Sequence, residues 1–437
     1  MVINVFEVFI LILAGLLAIT SIYMLFQNLY SVFISFFGYG KAVKDYFIQE
    51  DKTRFLILIA AHNEEAVIAD TIENIRKIDY NPDLFDIYVV NDNSTDNTKK
   101  ICDDINIPHI DTDENLFERE GVGKPAGIQY ALRALGFEKL IDKYDLIMVL
   151  DADNYVDPNI LKDLNSQWQQ KGKPEAIQTY LDSKNTTSLL ANGYATAYWI
   201  TNRFFQLARY RIGLDNAIGG TGFVVRVDWL LNNGGFRYKS LTEDLEMEIE
   251  IVKSNGKILW NHFVRIYDEK PDSLRVSIRQ RTRWAQGHWY VAFSNFFPLV
   301  KRIIFSKSRF KYFDQLLYLF GMGRGVQLLL LLISIVFIFV YFIVNKLGIF
   351  TGVTTILDTL ISFLIPTTIF NLVISLYAYV FLTIYALKKD GNYDNIFKSI
   401  LSLVYVGTTY IYTQMIGLLK CRKQNVWVKT PHKHTRK

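Results

Sequence analysis

The sequence predicts a layered α/β domain set between apolar helices that cross a membrane, and three observations carry that expectation. Half of the 437 residues are hydrophobic and 15% are aromatic, so the chain is too long for one ordinary domain and too apolar for a wholly soluble protein. Uncharged runs long enough to cross a bilayer lie towards the two ends, while the middle alternates short apolar runs with polar, helix-forming stretches. Within that middle, the stretch 144–150 is, after Asp145, apolar on both faces, as suits the centre of a parallel sheet, and the run stops at two carboxylates, Asp151 and Asp153. The expected divisions are an N-terminal transmembrane anchor over 1–40, the α/β domain over 50–292, interfacial and transmembrane helices over 293–420, and a basic tail over 421–437.

Taken in order, residues 11–26 carry no charge and can span the hydrocarbon core. With no basic leader and no small-residue cleavage site, the stretch reads as an uncleaved anchor, with 27–40 lying at the interface. Lys41, Lys44, Lys52 and Arg54 follow and place the α/β domain on the cytoplasmic side of the cell membrane. Cys102 and Cys421 match no zinc or redox spacing, which argues against thiol chemistry. The formal charge of +5, without a long basic run interleaved with aromatics, argues against nucleic-acid binding.

Residues 54–60 and 86–90 read as strands, and each ends in polar groups: Ala61-His62-Asn63-Glu64-Glu65 after the first, and Asp92-Asn93-Ser94 close behind the second. Strand ends of this kind build one rim where ligands sit. Glu64 and Asp92 can accept hydrogen bonds from a base or ribose there, and Asp151 with Asp153 can hold Mg²⁺ or Mn²⁺ on a diphosphate. For Asn63 and Ser94, helix capping is the competing account. Gly121 to Gly127 lacks the spacing of a phosphate-binding P-loop, yet a glycine turn opening a helix can present Lys124 to a nucleotide. The Gly219-Gly220-Thr221-Gly222 stretch lets a bulky ligand approach the backbone, although a β-bulge would read the same way. Thr242 is a plausible cap for a helix whose first turn is acidic, and Glu246 and Glu248 read as dipole compensation. On the next helix, Gln280 and Arg283 suit a diphosphate and Trp284 suits the apolar face of a sugar ring; a membrane-surface helix with snorkelling arginines is the bland alternative.

Ala61-His62-Asn63-Glu64-Glu65, Asp92, Asp151-Ala152-Asp153, Thr242-Glu243-Asp244 and Gln280-Arg281-Thr282-Arg283-Trp284, in that order, resemble the membrane-embedded family 2 glycosyltransferases, the cellulose, hyaluronan, chitin and poly-N-acetylglucosamine synthases. The resemblance implies a GT-A domain that uses a UDP-sugar and a divalent metal, inverts the anomeric centre and passes a growing polysaccharide into a transmembrane channel. By position it implies a uridine contact at Asp92, the diphosphate and metal pair at Asp151 and Asp153, and the general base at Asp244, with Glu243 the competing base. It also implies diphosphate and acceptor contacts at Gln280, Arg283 and Trp284. The usual aspartate-glycine-serine turn is here Asp92-Asn93-Ser94.

Beyond the tryptophan-rich helix, residues 293–312 mix aromatics with basic residues as an interfacial segment would. Residues 326–344 read as a span, 350–387 as a tight pair or a broken helix and a span divided at Pro366, and 396–419 as the last apolar run, four or five crossings in all. Asp358 and Arg324 are expected to face a channel. In the basic tail, Trp427, Lys429 and Thr430 resemble the segment that caps the site in these synthases. The expected activity is a processive inverting transferase that builds an extracellular β-linked polysaccharide from UDP-glucose, or next UDP-N-acetylglucosamine. A single-addition transferase acting on undecaprenyl phosphate or diacylglycerol is the alternative within the class. A non-catalytic transport or scaffold protein is the alternative outside it.

Overall fold

The computed structural model describes residues 5–113, 115–321, 323–348, 354–390 and 395–425. Trp427, Lys429 and Thr430, and the side chain of Arg324, lie outside them.

An eight-stranded mixed sheet organises the α/β domain: β1 (Phe55–Ala61), β2 (Phe85–Asn91), β3 (His109–Asp111), β4 (Leu146–Asp151), β5 (Tyr155–Val156), β6 (Ala176–Ser183), β7 (Phe223–Arg226) and β8 (Ile258–Asp268). Their spatial order is β3-β2-β1-β4-β7-β6-β8-β5. The strands expected at 54–60, 86–90 and 144–150 are β1, β2 and β4, lying parallel side by side with Leu58 opposite both Tyr88 and Val149. β4 is not enclosed by parallel strands, however, because β7 pairs with it antiparallel, Val149 opposite Phe223. β4 is fully buried except for Asp151, since helices cover both sheet faces and leave room for a side chain only at the strand end.

Seven helices matter for the site and the membrane: α1 (Val5–Ser35), α2 (Lys124–Leu135), α3 (Leu189–Thr201), α4 (Glu243–Lys253), α5 (Leu274–Phe305), α6 (Arg309–Leu319) and α7 (Arg324–Lys346). Two more follow: α8, which runs from Thr354 through a π-helical stretch at Tyr377–Leu382 to Asp390, and α9 (Ile396–Leu419). α1 continues through 27–35, expected at the interface, because Gln27 and Asn28 find buried partners: Gln27 donates to Phe320 O at 2.9 Å and Asn28 to Asn371 Oδ1 at 3.0 Å. α5 passes residue 292 without a break and contains Pro298.

Among the described residues, three stretches are helical, long and apolar enough to cross a membrane: 5–38, 325–346 and 355–390. The last of these corrects the expected pair. Pro366 sits inside one continuous helix, where the Thr367 hydroxyl bonds the carbonyls of Phe363 and Leu364 in the preceding turn. α9 is not among the three, and its polar groups turn towards the α/β domain: Arg281 of α5 donates to Val406 O and Thr409 Oγ1, both at 2.9 Å, and Trp289 to Gln414 Oε1 at 2.9 Å. Arg281 therefore ties two helices and does not snorkel. Close approach of α3 and α9 needs a glycine at 193, where a Cβ would meet Ser402 O at 2.5 Å. Asp358 does not turn into the bundle; it stands on an exposed face and accepts a bond from the Tyr341 hydroxyl.

Candidate active site

The loops after β1 and β2 are sewn together by side chains. Asn63, at φ 56°, presents Oδ1 to the amides of Thr95 at 2.6 Å and Asp96 at 3.3 Å, and Ser94 Oγ accepts the Asn63 amide at 2.9 Å. Neither side chain caps a helix: a short polar group at a left-handed position bonds the nearest unpaired amides, and here those belong to the facing loop. Asp92 accepts both arms of Arg119, at 2.5 and 2.8 Å, and the Thr112 hydroxyl at 3.2 Å. Gly127 leaves space for this carboxylate, since a Cβ there would lie 3.3 Å from Asp92 Cγ. Glu64 and Asp92 are both buried and both border the same cavity.

α2 begins at Lys124, after Gly123 turns the chain at φ 66°. The Lys124 ammonium donates to Asp151 Oδ1 and to Gly220 O, each at 2.6 Å. Burial pulls its pKa down, but Asp151 and Glu243 outweigh that and hold it above the usual lysine value, so the group stays charged. Thr221, beside Gly220, receives the Asp151 amide at 3.1 Å and bonds Asn154. The glycine stretch is thus a tight loop at 218–222, immediately before β7, with Gly220 at φ 79°. Asp151 lines the cavity, but Asp153 does not: it is 3% exposed, with Oδ2 accepting the Glu269 amide at 2.8 Å and Oδ1 the Asn154 amide group at 3.2 Å.

The acidic start of α4 holds Glu243 and Asp244 against the same space. Thr242 occupies the cap position without a capping bond, and its buried hydroxyl has no partner among the described residues, with Gly287 of α5 packed directly onto it. Burial, then the neighbouring Glu243, pushes the Asp244 carboxyl up to about 7, and burial raises Glu243 as well. Glu246 does accept the amides of Lys239 and Ser240, at 3.0 and 2.7 Å. Glu248 is not surface compensation at all: it is 2% exposed, and burial pushes it up to about 8. A sequence reading of helix-start acid cannot see that α6 covers this turn.

From α5, Gln280, Arg283 and Trp284 reach the cavity together, one helical face as their spacing requires. Gln280 Oε1 and Arg283 Nε are buried with no hydrogen-bond partner among the described residues. Trp284 meets Tyr194 edge-on, with centroids 6.2 Å apart. The Lys270 ammonium lies 3.7 Å from the Tyr198 ring centroid. Tyr194, Tyr198, Tyr318 and Tyr410, together with Asp268, also border the cavity and were not singled out from the sequence. The tyrosines come from α3, α6 and α9, and isolated aromatics on helices carry no local signal. Asp268 did carry one: like Asp151 it is the carboxylate that closes a strand.

These groups enclose about 350 Å³, the size of a small-molecule site. Its polar lining divides into a carboxylate-rich side at the strand ends and a side formed by α5. No group of three or more His, Cys, Asp or Glu among the described residues is arranged to hold a metal alone. Asp151 is still of the type a hard cation takes when phosphate oxygens complete its shell. Burial, with Asp153 and Asp151 close by, raises the Asp268 carboxyl despite its 2.6 Å ion pair to Lys270, so this corner has the negative surroundings that favour a cation. The lining therefore fits a divalent cation such as Mg²⁺ or Mn²⁺, which Asp151 would hold, whereas Asp153 stands outside the cavity with both oxygens bonded.

Parallel strands whose carboxyl ends converge on an acidic rim, followed by antiparallel β7 and a helix bearing the second acidic motif, define a GT-A fold. The chain belongs to the glycosyltransferase-like family 2, whose model matches residues 53–287. It is similar to a probable glycosyltransferase of Bacillus subtilis, 31% identical over 61% of this chain and 63% of that one. It is also similar to the poly-beta-1,6-N-acetyl-D-glucosamine synthase of Staphylococcus aureus, 24% identical over 64% of this chain and 66% of the relative. In both comparisons the matched stretch spans just under two thirds of the relative. Among solved structures, a mannosyltransferase from Pyrobaculum calidifontis in complex with GDP-mannose and Mn²⁺ has the same fold, with a TM-score of 0.53 and 17% identity over 82% of this chain and 99% of that one.

Proposed function

We propose that this protein is a membrane-bound, metal-dependent, inverting hexosyltransferase that extends a polysaccharide from a UDP-sugar on the cytoplasmic side and passes the product outwards. The observation that carries the reading is the convergence on one cavity of Asp151, Asp244, and Gln280 Oε1 and Arg283 Nε, which have no partner among the described residues. Buried polar atoms without partners are costly unless a ligand completes them. Mg²⁺ or Mn²⁺ at Asp151 would neutralise the diphosphate of the donor. Glu64 and Asp92 receive the uridine end, Lys124 balances charge at Asp151 and Gly220 O, and Gly220 and Thr221 let the donor approach the backbone. Gln280 and Arg283 complete the diphosphate, and Trp284 stacks under the terminal sugar of the acceptor.

Inversion requires a single displacement. The Asp244 carboxylate takes the proton of the acceptor hydroxyl, the hydroxyl oxygen bonds to the anomeric carbon from the side opposite UDP, and the bond to the β-phosphate oxygen breaks as UDP leaves. A base with a pKa near 7 suits that task. Glu243, beside it, shapes its charge. Where composition leaves UDP-glucose and UDP-N-acetylglucosamine open, the likeness to poly-N-acetylglucosamine synthases favours the latter. The apolar helices and the basic residues flanking them support a multi-pass protein with its catalytic domain inside. Incubating membranes with each labelled UDP-sugar and Mg²⁺ or Mn²⁺, then digesting the product with linkage-specific hydrolases, tests the reading. Polymer from UDP-N-acetylglucosamine is expected; label confined to a lipid-extractable monosaccharide adduct would replace polymerisation with single addition to a carrier.

A further inference from the structure

Glu248 lies one turn beyond Asp244 on the same face of α4 and does not border the cavity. Its oxygens hold two different parts of the molecule: Oε2 accepts the Ile218 amide at 3.0 Å, and Oε1 accepts Gln315 Nε2 of α6 at 2.5 Å. Ile218 opens the loop that forms the glycine wall of the cavity. Other bonds to that wall come from within the α/β domain, among them Gly219 N to Gln178 Oε1 at 2.8 Å, Lys124 to Gly220 O at 2.6 Å and Asp151 N to Thr221 Oγ1 at 3.1 Å. Through Glu248 the loop is also tied to α6. Gln315 is 1% exposed, and one turn later Tyr318 supplies another wall of the same cavity. The residue before Gln315, Asp314, pairs with Arg209 and accepts the hydroxyl of Tyr30, on membrane helix α1, at 2.6 Å. One buried carboxylate thus spaces the glycine wall from the aromatic wall and links both to the bundle.

Resting on the functional reading above, the geometry points to Glu248 as a positioning residue for glycosyl transfer: it fixes the 218–221 loop against α6, and so sets where the hexose of the donor lies relative to the acceptor hydroxyl. It touches no substrate and acts through Ile218 and Gln315. Each of its two bonds satisfies a buried N–H that would otherwise lose its partner. The uridine end, held at Glu64 and Asp92 across the cavity, is outside its reach.

The test uses the full chain in lipid nanodiscs and three variants. Glu248→Leu removes both acceptors. Gln315→Leu removes the donor that α6 supplies to Glu248. The exchanged pair, Glu248→Gln with Gln315→Glu, restores both bonds, because the new amide oxygen accepts from Ile218 and the new amide N–H donates to the carboxylate at 315. For each of the first two variants, kcat/KM for the UDP-sugar is expected to fall roughly 10- to 100-fold, the scale of a small misplacement of reacting groups, while the affinity for free UDP changes by less than about twofold. Hydrogen exchange at the 218–221 amides should rise in both. The exchanged pair should recover both readouts. A normal kcat/KM in the folded fraction of Glu248→Leu, or unchanged exchange at the loop, overturns the inference; so does an exchanged pair that recovers thermal stability without recovering kcat/KM. If the unmodified protein transfers sugar from no UDP-sugar, it is the functional reading that fails, and the exchange measurement still decides whether Glu248 holds the loop.

Discussion

Replacing Asp244 by Asn leaves size and hydrogen bonding nearly unchanged and removes basicity, so it separates chemistry from folding. A positioned base is worth roughly two to four orders of magnitude, and transfer should fall by that much while UDP binding stays near normal. The pH dependence follows from the same group. With its carboxyl pushed up to about 7 by burial and by Glu243, Asp244 is only about one-tenth ionised at pH 6. The kcat/KM of the unmodified protein should therefore drop about tenfold for each pH unit below that value, and the residual rate of Asp244→Asn should lack this limb. Stability runs the other way. A carboxyl whose folded pKa lies above its unfolded value favours the folded state fully below about 4, and that contribution is lost as pH rises through about 7. Ionising it at pH 8 costs on the order of 4 kcal/mol at most, since neighbouring cations and solvent in the cavity reduce the figure. Asp244→Asn should accordingly melt higher than the unmodified protein at pH 8. Glu243→Gln should be milder in rate. Single-turnover transfer of labelled sugar, UDP titration and melting across pH 5.5–9 measure all of this. Near-normal transfer by Asp244→Asn would refute the assignment and return the acidic helix start to a structural role.

Chelation with excess EDTA should abolish transfer, and Asp151→Ala should do nearly the same even with metal present; full turnover under EDTA would remove the metal from the mechanism. If Trp284 stacks under the acceptor sugar as proposed, Trp284→Ala should cut polymer yield and length far more than UDP-sugar affinity; unchanged polymer would favour a lipid-carrier acceptor. Gly287→Ala would bring a Cβ within 2.6 Å of the Thr242 backbone nitrogen, and neither helix can yield cheaply. It should destabilise the fold by about 1–3 kcal/mol and lower activity by displacing the start of α4; an unchanged melting temperature and rate would show that α5 shifts freely.

Much of the site was legible because its parts sit at ends of elements. β1, β2 and β4 announce themselves as short apolar runs closed by polar residues, so Glu64, Asp92 and Asp151 could be read as one rim before any geometry was known. Gln280, Arg283 and Trp284 were legible as one helical face for the same local reason. Asp153 was not: it lies two residues past the end of β4, and nothing local tells that the Glu269 amide, just beyond the end of β8, holds it away from the cavity.

The sequence by itself determined where β1, β2, β4 and the long apolar runs lie, and which polar groups stand at those strand ends, because periodicity and chain breaks are properties of neighbouring residues. Only the tertiary structure decided the antiparallel placement of β7 beside β4, which brings Gly220 and Thr221 to Asp151. Tertiary packing also carried Pro366 through an unbroken helix, turned α9 onto the α/β domain, and buried Glu248 under α6. Each of those outcomes depends on partners hundreds of positions or several elements away, and contacts at that distance leave no trace in local pattern.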